Sequence, residues 1–192
     1  MLRPNYALDP PPDRLTVGGR SYRVATDWRT WLIALELLKG MRGADGDEAL
    51  RRLAELEELL FGGLPEEDPG AVLDAVAGFL RGYPGPPAEG APEEASGCSL
   101  EWDLNEIVVA IRDQHGVDLS WRGGADLHWW EFLLLARTLC GDHYILRLAE
   151  IRTYRGSDRT LKEKKRRFAL PRETGPSDEA LLKEIGREFY GA

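Results

Sequence analysis

Residues 126–141 read DLHWWEFLLLARTLCG, and the fold turns on this run. Between Asp126 and Gly141, the residues Trp129, Trp130, Phe132, Leu133, Leu134, Leu135, Ala136, Leu139 and Cys140 are interrupted only by Glu131, Arg137 and Thr138. The length exceeds that of an ordinary strand, and the Asp and Gly flanks are helix start and stop signals. A helix that is apolar almost all round must be covered by others, which predicts a helix at the centre of a core and a mainly helical protein.

Downstream of this run, Gly141 ends the helix and Asp142 is placed to cap the next, whose Ile145, Leu148 and Ile151 face inward. A basic helix with Leu161 and Phe168 on its inner face runs up to Pro171, and a last amphipathic helix is expected over Ser177 to Tyr190. Upstream, Asp103 followed by Glu106 has capping-box spacing ahead of Leu104, Ile107, Val108 and Ile111, and Gly116 closes that helix. Residues 84–97 read PGPPAEGAPEEASG, too rich in proline for a helix and too poor in apolar residues to pack.

Toward the N-terminus the period changes from 3.6 to two. Leu15, Val17, Tyr22 and Val24 alternate on either side of Gly18-Gly19, the signal of a short β-hairpin. Asp27 is placed to cap a helix with Trp28, Trp31, Leu32, Leu35 and Leu38 in one stripe, ending near Gly40. A second helix follows Asp47, with Leu50, Leu53, Leu56 and Leu60 inward, Glu55, Glu57 and Glu58 toward water, and Gly62-Gly63 as its stop. Asp68-Pro69 supplies a cap and a first-turn proline for a third helix carrying Val72, Leu73, Val76 and Leu80. The expected organisation is an extended tail (1–13), a hairpin with an acidic helical half (14–83), a linker or loop (84–97), a second helical half (98–171) and a C-terminal helix (172–192), forming one compact domain.

The chain has 192 residues, 43% hydrophobic and 30% charged, a composition that excludes wholesale disorder. No apolar run approaches the ~20 residues of a membrane span, and the N-terminus has prolines where a signal peptide has its apolar core. Two cysteines, Cys98 and Cys140, cannot build a disulfide scaffold, so a reducing cytoplasmic setting is expected. The net charge of -8 is unevenly spread. From Ala44 to Glu101 fourteen Asp/Glu face Arg51, Arg52 and Arg81, whereas from Arg152 to Arg172 nine Lys/Arg face Asp158 and Glu163. Lys162, Lys164, Lys165, Arg166 and Arg167 therefore form a candidate interaction surface, for an acidic partner, for the acidic half of another copy, or for nucleic acid. A solvated helix face accounts for the same residues.

Reactive chemistry is hard to find. His128, Cys140 and His143 are three soft ligands, but the break at Gly141-Asp142 separates Cys140 from His143, so no metal is expected. There is no Gly-x-Ser-x-Gly elbow, and Gly18-Gly19 and Gly123-Gly124 lack the Gly-Lys-Ser/Thr ending of a phosphate loop. Glu57/Glu58, Glu66/Glu67 and Glu93/Glu94 are sequence neighbours that diverge on a helix. Neither catalysis nor a cofactor is expected. Trp28, Trp31, Trp129 and Trp130 lie at helical spacing among leucines, which favours packing over base stacking, and the basic run contains no nucleic-acid recognition motif.

The string Leu127-His128-Trp129-Trp130-Glu131-Phe132, with Asp118-Leu119, Ile145, Ile151-Arg152 and the basic helix ending at Pro171, resembles the bacteriophage gene-product-fifteen family of small tail-region proteins. The hairpin followed by Thr26-Asp27-Trp28-Arg29 resembles the start of that family, so the likeness runs from about Arg14 to Pro171. The family motif Leu127, His128, Trp129, Trp130 and Phe132 reads as core, with no catalytic site. The resemblance implies a gene position between the major tail protein and the tape measure, and proteins encoded there are typically tail assembly chaperones. It implies the tape measure protein and the tail tube protein as partners, with self-association as a further expectation and no membrane. It also implies residence in the host cytoplasm and absence from the mature virion, or a minor presence there. A structural component retained in the virion and a nucleic-acid-binding accessory protein using residues 159–172 are the alternatives.

Overall fold

The computed structural model describes residues 6–41, 44–63, 67–83, 97–121 and 126–171. Among these the protein is mainly helical, with a two-stranded N-terminal hairpin and seven helices. Most of the expected 84–97 linker and the expected C-terminal helix lie outside the described residues. The described residues divide into two compact units: those up to 83 with 127–133 form the first, and 97–121, 126 and 134–171 the second.

In the first unit, β1 (Arg14–Val17) pairs antiparallel with β2 (Arg20–Arg23), Val17 opposite Arg20. The turn needs positive φ at both central positions, and Gly18 (φ 55°) and Gly19 (φ 88°) provide it. Val17 and Val24 are buried. Helix α1 (Trp28–Gly40) starts where Asp27 accepts the Arg29 N–H, and α3 (Pro69–Leu80) starts where Asp68 accepts from Gly70 and Ala71. Helix α2 (Gly46–Phe61) starts two residues earlier than the sequence suggests, because Asp45 and not Asp47 accepts the Glu48 N–H.

The core of this unit joins Trp28, Trp31, Ala34 and Leu38 of α1, Leu53, Leu56 and Leu60 of α2, and Val72, Leu73, Val76 and Phe79 of α3. Two expectations on α2 are overturned. Leu50 stands exposed, and Glu57 is buried, its carboxyl pushed up from the usual range by loss of water. The buried stripe is rotated away from Leu50, with Ala49, Leu53, Leu56 and Leu60 inward and Glu57 at its margin.

In the second unit, α4 (Leu104–His115), α6 (Tyr144–Thr153) and α7 (Arg159–Arg167) bury Ile107, Ala110, Ile111, Leu119, Ile145 and Leu148. The expected capping box does not form. Asp103 makes no side-chain bond to the start of α4, because its carboxylate takes Arg152 Nη1 at 2.6 Å and Nη2 at 2.9 Å, and the Ser99 N–H at 2.8 Å. Arg152 in turn donates to the carbonyls of Gly97 (3.0 Å) and Phe168 (2.8 Å). With Asp103 and Arg152 only 3% and 12% exposed, this pair fastens the entry to α4, the end of α6 and the end of α7 at one point. A side chain at Gly97 would strike Ala149, so glycine is required where the backbone approaches α6.

Helix α5 (Trp129–Arg137) is shorter than the apolar run predicts, and the boundary between the units falls within it, after Leu133. Gln114 takes over at its end, donating to the Thr138 carbonyl (2.8 Å) and accepting the Cys140 N–H (2.8 Å). The helix is not wrapped on all sides: Trp129 and Phe132 are buried, Leu133 to Ala136 half-buried and Cys140 exposed. Helix α6 begins at Tyr144 with His143, and not Asp142, at its N-cap position.

Two stability measurements follow. Asp103→Ala leaves Arg152 buried without its counter-charge and is expected to cost about 3–5 kcal/mol in denaturant unfolding, with Asp103→Ala/Arg152→Met recovering much of it. Glu57→Gln is expected to raise the melting temperature at neutral pH. The carboxyl is held above its unfolded value, so its charge opposes folding at pH 7, and the advantage shrinks as pH falls and the parent is protonated.

Candidate functional site

The segment that begins α5 is zipped to the segment that begins α1. Trp28 N–H donates to the Leu127 carbonyl (3.0 Å) and Trp129 N–H to the Thr26 carbonyl (2.8 Å), an antiparallel bridge centred on Asp27 and His128. The four backbone groups are among those that helix starts and their approaches leave unpaired. The bridge sets the two helix beginnings side by side.

Each residue of the Leu127–Phe132 string has a definite place. His128 is the N-cap of α5: its carbonyl accepts Phe132 N–H (2.9 Å) and its Nδ1 accepts Trp130 N–H (3.0 Å). Glu131 reaches back to the His128 N–H (3.1 Å), so a capping box exists here with histidine in the place usual for serine or threonine. Trp129 and Trp130 point their indole N–H groups at the end of α3, donating to the carbonyls of Leu80 (3.2 Å) and Phe79 (2.8 Å). Trp129 and Phe132 are buried, while Leu127, His128 and Trp130 are half-buried.

Around them the rings form a continuous array. Phe132 stacks on Trp28 with centroids 4.7 Å apart, Phe79 stacks on Trp31 at 4.4 Å, and Tyr83 meets Trp130 edge-on at 4.9 Å. Trp31 donates to the Ala25 carbonyl at 2.7 Å. The buried Trp28 Nε1 has no hydrogen-bond partner among the described residues.

The N-terminal segment, expected to be an extended tail, is pinned to this array. Tyr6 turns its hydroxyl to Glu131 (2.8 Å), Tyr83 donates to the Asp9 carbonyl (2.7 Å), and His128 Nε2 donates to the Pro12 carbonyl (3.0 Å). Sequence reading missed these contacts, because two of the three address backbone carbonyls that carry no mark in the sequence.

His128 therefore donates from Nε2 and accepts at Nδ1, which requires the neutral ring. Burial pushes its pKa below the usual histidine value, against the opposing pull of the Pro12 carbonyl and the nearby Glu131 and Asp13. A proton at Nδ1 would take the lone pair that caps Trp130.

The second candidate surface lies on α7. Lys162, Lys164, Arg166 and Arg167 are exposed, whereas Lys165 is half-buried and donates to the Tyr154 carbonyl at 2.8 Å. Leu161 and Phe168 are half-buried beside it, and Arg159 pairs with Glu163 at 3.2 Å. Four of these cations occupy the last turn, where the helix dipole favours positive charge. Among the described residues no group of three or more His, Cys, Asp or Glu is placed to hold a metal ion, and no helix is long and apolar enough to cross a membrane.

Trp129→Ala is expected to cost about 3–5 kcal/mol in denaturant unfolding, since it removes a buried ring together with its bond to α3. The His128 effect has a defined sign. With the folded pKa depressed, stability is complete above the unfolded value of about 6.5 and falls as pH drops below it. His128→Asn, whose side-chain oxygen still caps but does not titrate, is expected to lose less stability than the parent between about pH 7 and about pH 5 in thermal melts.

No curated protein and no solved structure matches the chain. The hairpin and Thr26-Asp27-Trp28-Arg29 lie outside the segment with a family match. Residues 89–172, which carry α4 to α7 and the Leu127–Phe132 string, match the family described as Bacteriophage Gp15 protein.

Proposed function

We propose that this protein is a tail assembly chaperone, binding the phage tape measure protein before the tail tube polymerises around it. The family match over residues 89–172 carries the reading and supports a phage tail-region protein. A tape measure is a long, largely helical and apolar chain that would aggregate if left uncovered. A chaperone for it needs weak, repeated, reversible contacts and no covalent chemistry.

The second unit has features suited to that task. It leaves Trp102, Val109, Trp121 and Tyr144 exposed, Trp121 at 95%, within the matched segment. Large apolar side chains held at a surface suit the apolar face of an amphipathic helix. The exposed cations of α7 add an attraction for acidic positions on the partner, and the acidic helices of the first unit favour solubility of the coated complex. Tube subunits would displace the chaperone, which places it in the host cytoplasm and outside the finished virion.

Co-expression with the tape measure protein of the same phage is expected to raise its soluble fraction several-fold. Trp102→Ala/Trp121→Ala is expected to lower that gain while leaving the helical circular dichroism unchanged. Mass spectrometry of purified particles is expected to find the protein absent or in traces. A stoichiometric presence there, with no effect on tape measure solubility, would overturn the reading in favour of a structural tail component.

A further inference from the structure

Asp9-Pro10-Pro11-Pro12 lies beside aromatic residues of the first unit, and the manner of its attachment carries more than a structural role. Three successive prolines lack N–H groups, so carbonyls are the polar backbone groups such a segment presents. The protein meets two of them with donors, Tyr83 OH on Asp9 and His128 Nε2 on Pro12. Those carbonyls are three residues apart, which in a polyproline helix of three residues per turn places them on the same side.

The donors stand at an aromatic surface, with Tyr83 edge-on to Trp130 at 4.9 Å and His128 edge-on to Trp130 at 6.4 Å. Rigid aromatic rings with donors aimed at carbonyls are the general means by which proline-rich segments are held, because the preformed extended chain loses little entropy on docking. Both hydrogen bonds address backbone carbonyls, which every residue possesses, so they can be offered to other proline-rich sequences. The strap is open to solvent: Pro10 is exposed, Pro11 and Pro12 are half-buried, and Tyr6, a further anchoring point, is itself 53% exposed.

We infer that the Tyr83–His128–Trp130 surface is a binding site for proline-rich peptide segments, and that Asp9–Pro12 is its built-in, displaceable occupant. A partner segment of that class competes with the chain's own strap, so apparent affinity is reduced by the fraction of time the seat is filled. Because this reading depends only on the first unit, it stands or falls separately from tape measure binding.

The test uses the full-length chain and a synthetic peptide of residues 6–13, Tyr-Ala-Leu-Asp-Pro-Pro-Pro-Asp, with binding followed by calorimetry and tryptophan fluorescence. The variant Pro10→Ala/Pro11→Ala/Pro12→Ala is expected to bind this peptide at least about tenfold more tightly than the parent chain, whose strap competes. Adding Tyr83→Phe is expected to weaken that binding roughly three- to tenfold, the worth of one hydrogen bond. A peptide with alanines at the three proline positions is expected to bind more weakly still. If the triple variant does not fold, Tyr6→Ala, at an exposed residue, opens the strap in its place. The inference is overturned if the folded variant binds no tighter than the parent, if Tyr83→Phe has no effect, or if the alanine peptide binds as well as the proline one.

Discussion

Two backbone hydrogen bonds, between Thr26–Trp28 and Leu127–Trp129, hold together parts of the chain that lie about 100 residues apart. They fix where α1 and α5 begin relative to each other, and the stacking of Trp28 on Phe132 depends on that register. A shift of one residue would turn Trp129 and Phe132 out of the core and direct the indole donors away from α3. The bridge is short because it has only to align two helix starts, after which aromatic packing supplies the stabilisation.

The same segment shows how polar atoms are accommodated in an aromatic core. An indole buries a large ring only if its N–H finds an acceptor, and the end of a helix has carbonyls to spare. Trp129 and Trp130 meet the carbonyls of Leu80 and Phe79, so the apolar and polar requirements are met by the same two residues. In the second unit a buried ion pair has the equivalent role: Asp103 and Arg152 gather three backbone segments through charge-assisted bonds.

What the sequence made legible was local. Gly18-Gly19 between alternating apolar residues requires a hairpin, and Asp27 and Asp68 cap the helices that follow them, since both signals depend only on neighbours. Asp103 has the spacing of a cap but does not act as one, because a distant arginine outcompetes the local N–H groups for its carboxylate. The apolar run outlasts α5 because Gln114, from another helix, takes the backbone groups at its end, and Glu57 is buried because a modest rotation of α2 separates an exposed position from a buried one. Of the candidate site, the Leu127–Phe132 string stood out by composition, while the histidine cap and the N-terminal strap depend on backbone atoms that every residue possesses.

The bridge has a consequence for synthesis. The first unit takes α1, α2 and α3 from the early part of the chain but Trp129 and Phe132 from a segment made much later. A chain emerging from the ribosome can form its hairpin and three helices while Trp28, Trp31 and Phe79 still lack their final neighbours, and the residues of α4 must be synthesised before that gap closes. The unit whose sequence begins first therefore has to wait for a segment made about 45 residues after its third helix before its aromatic core can close.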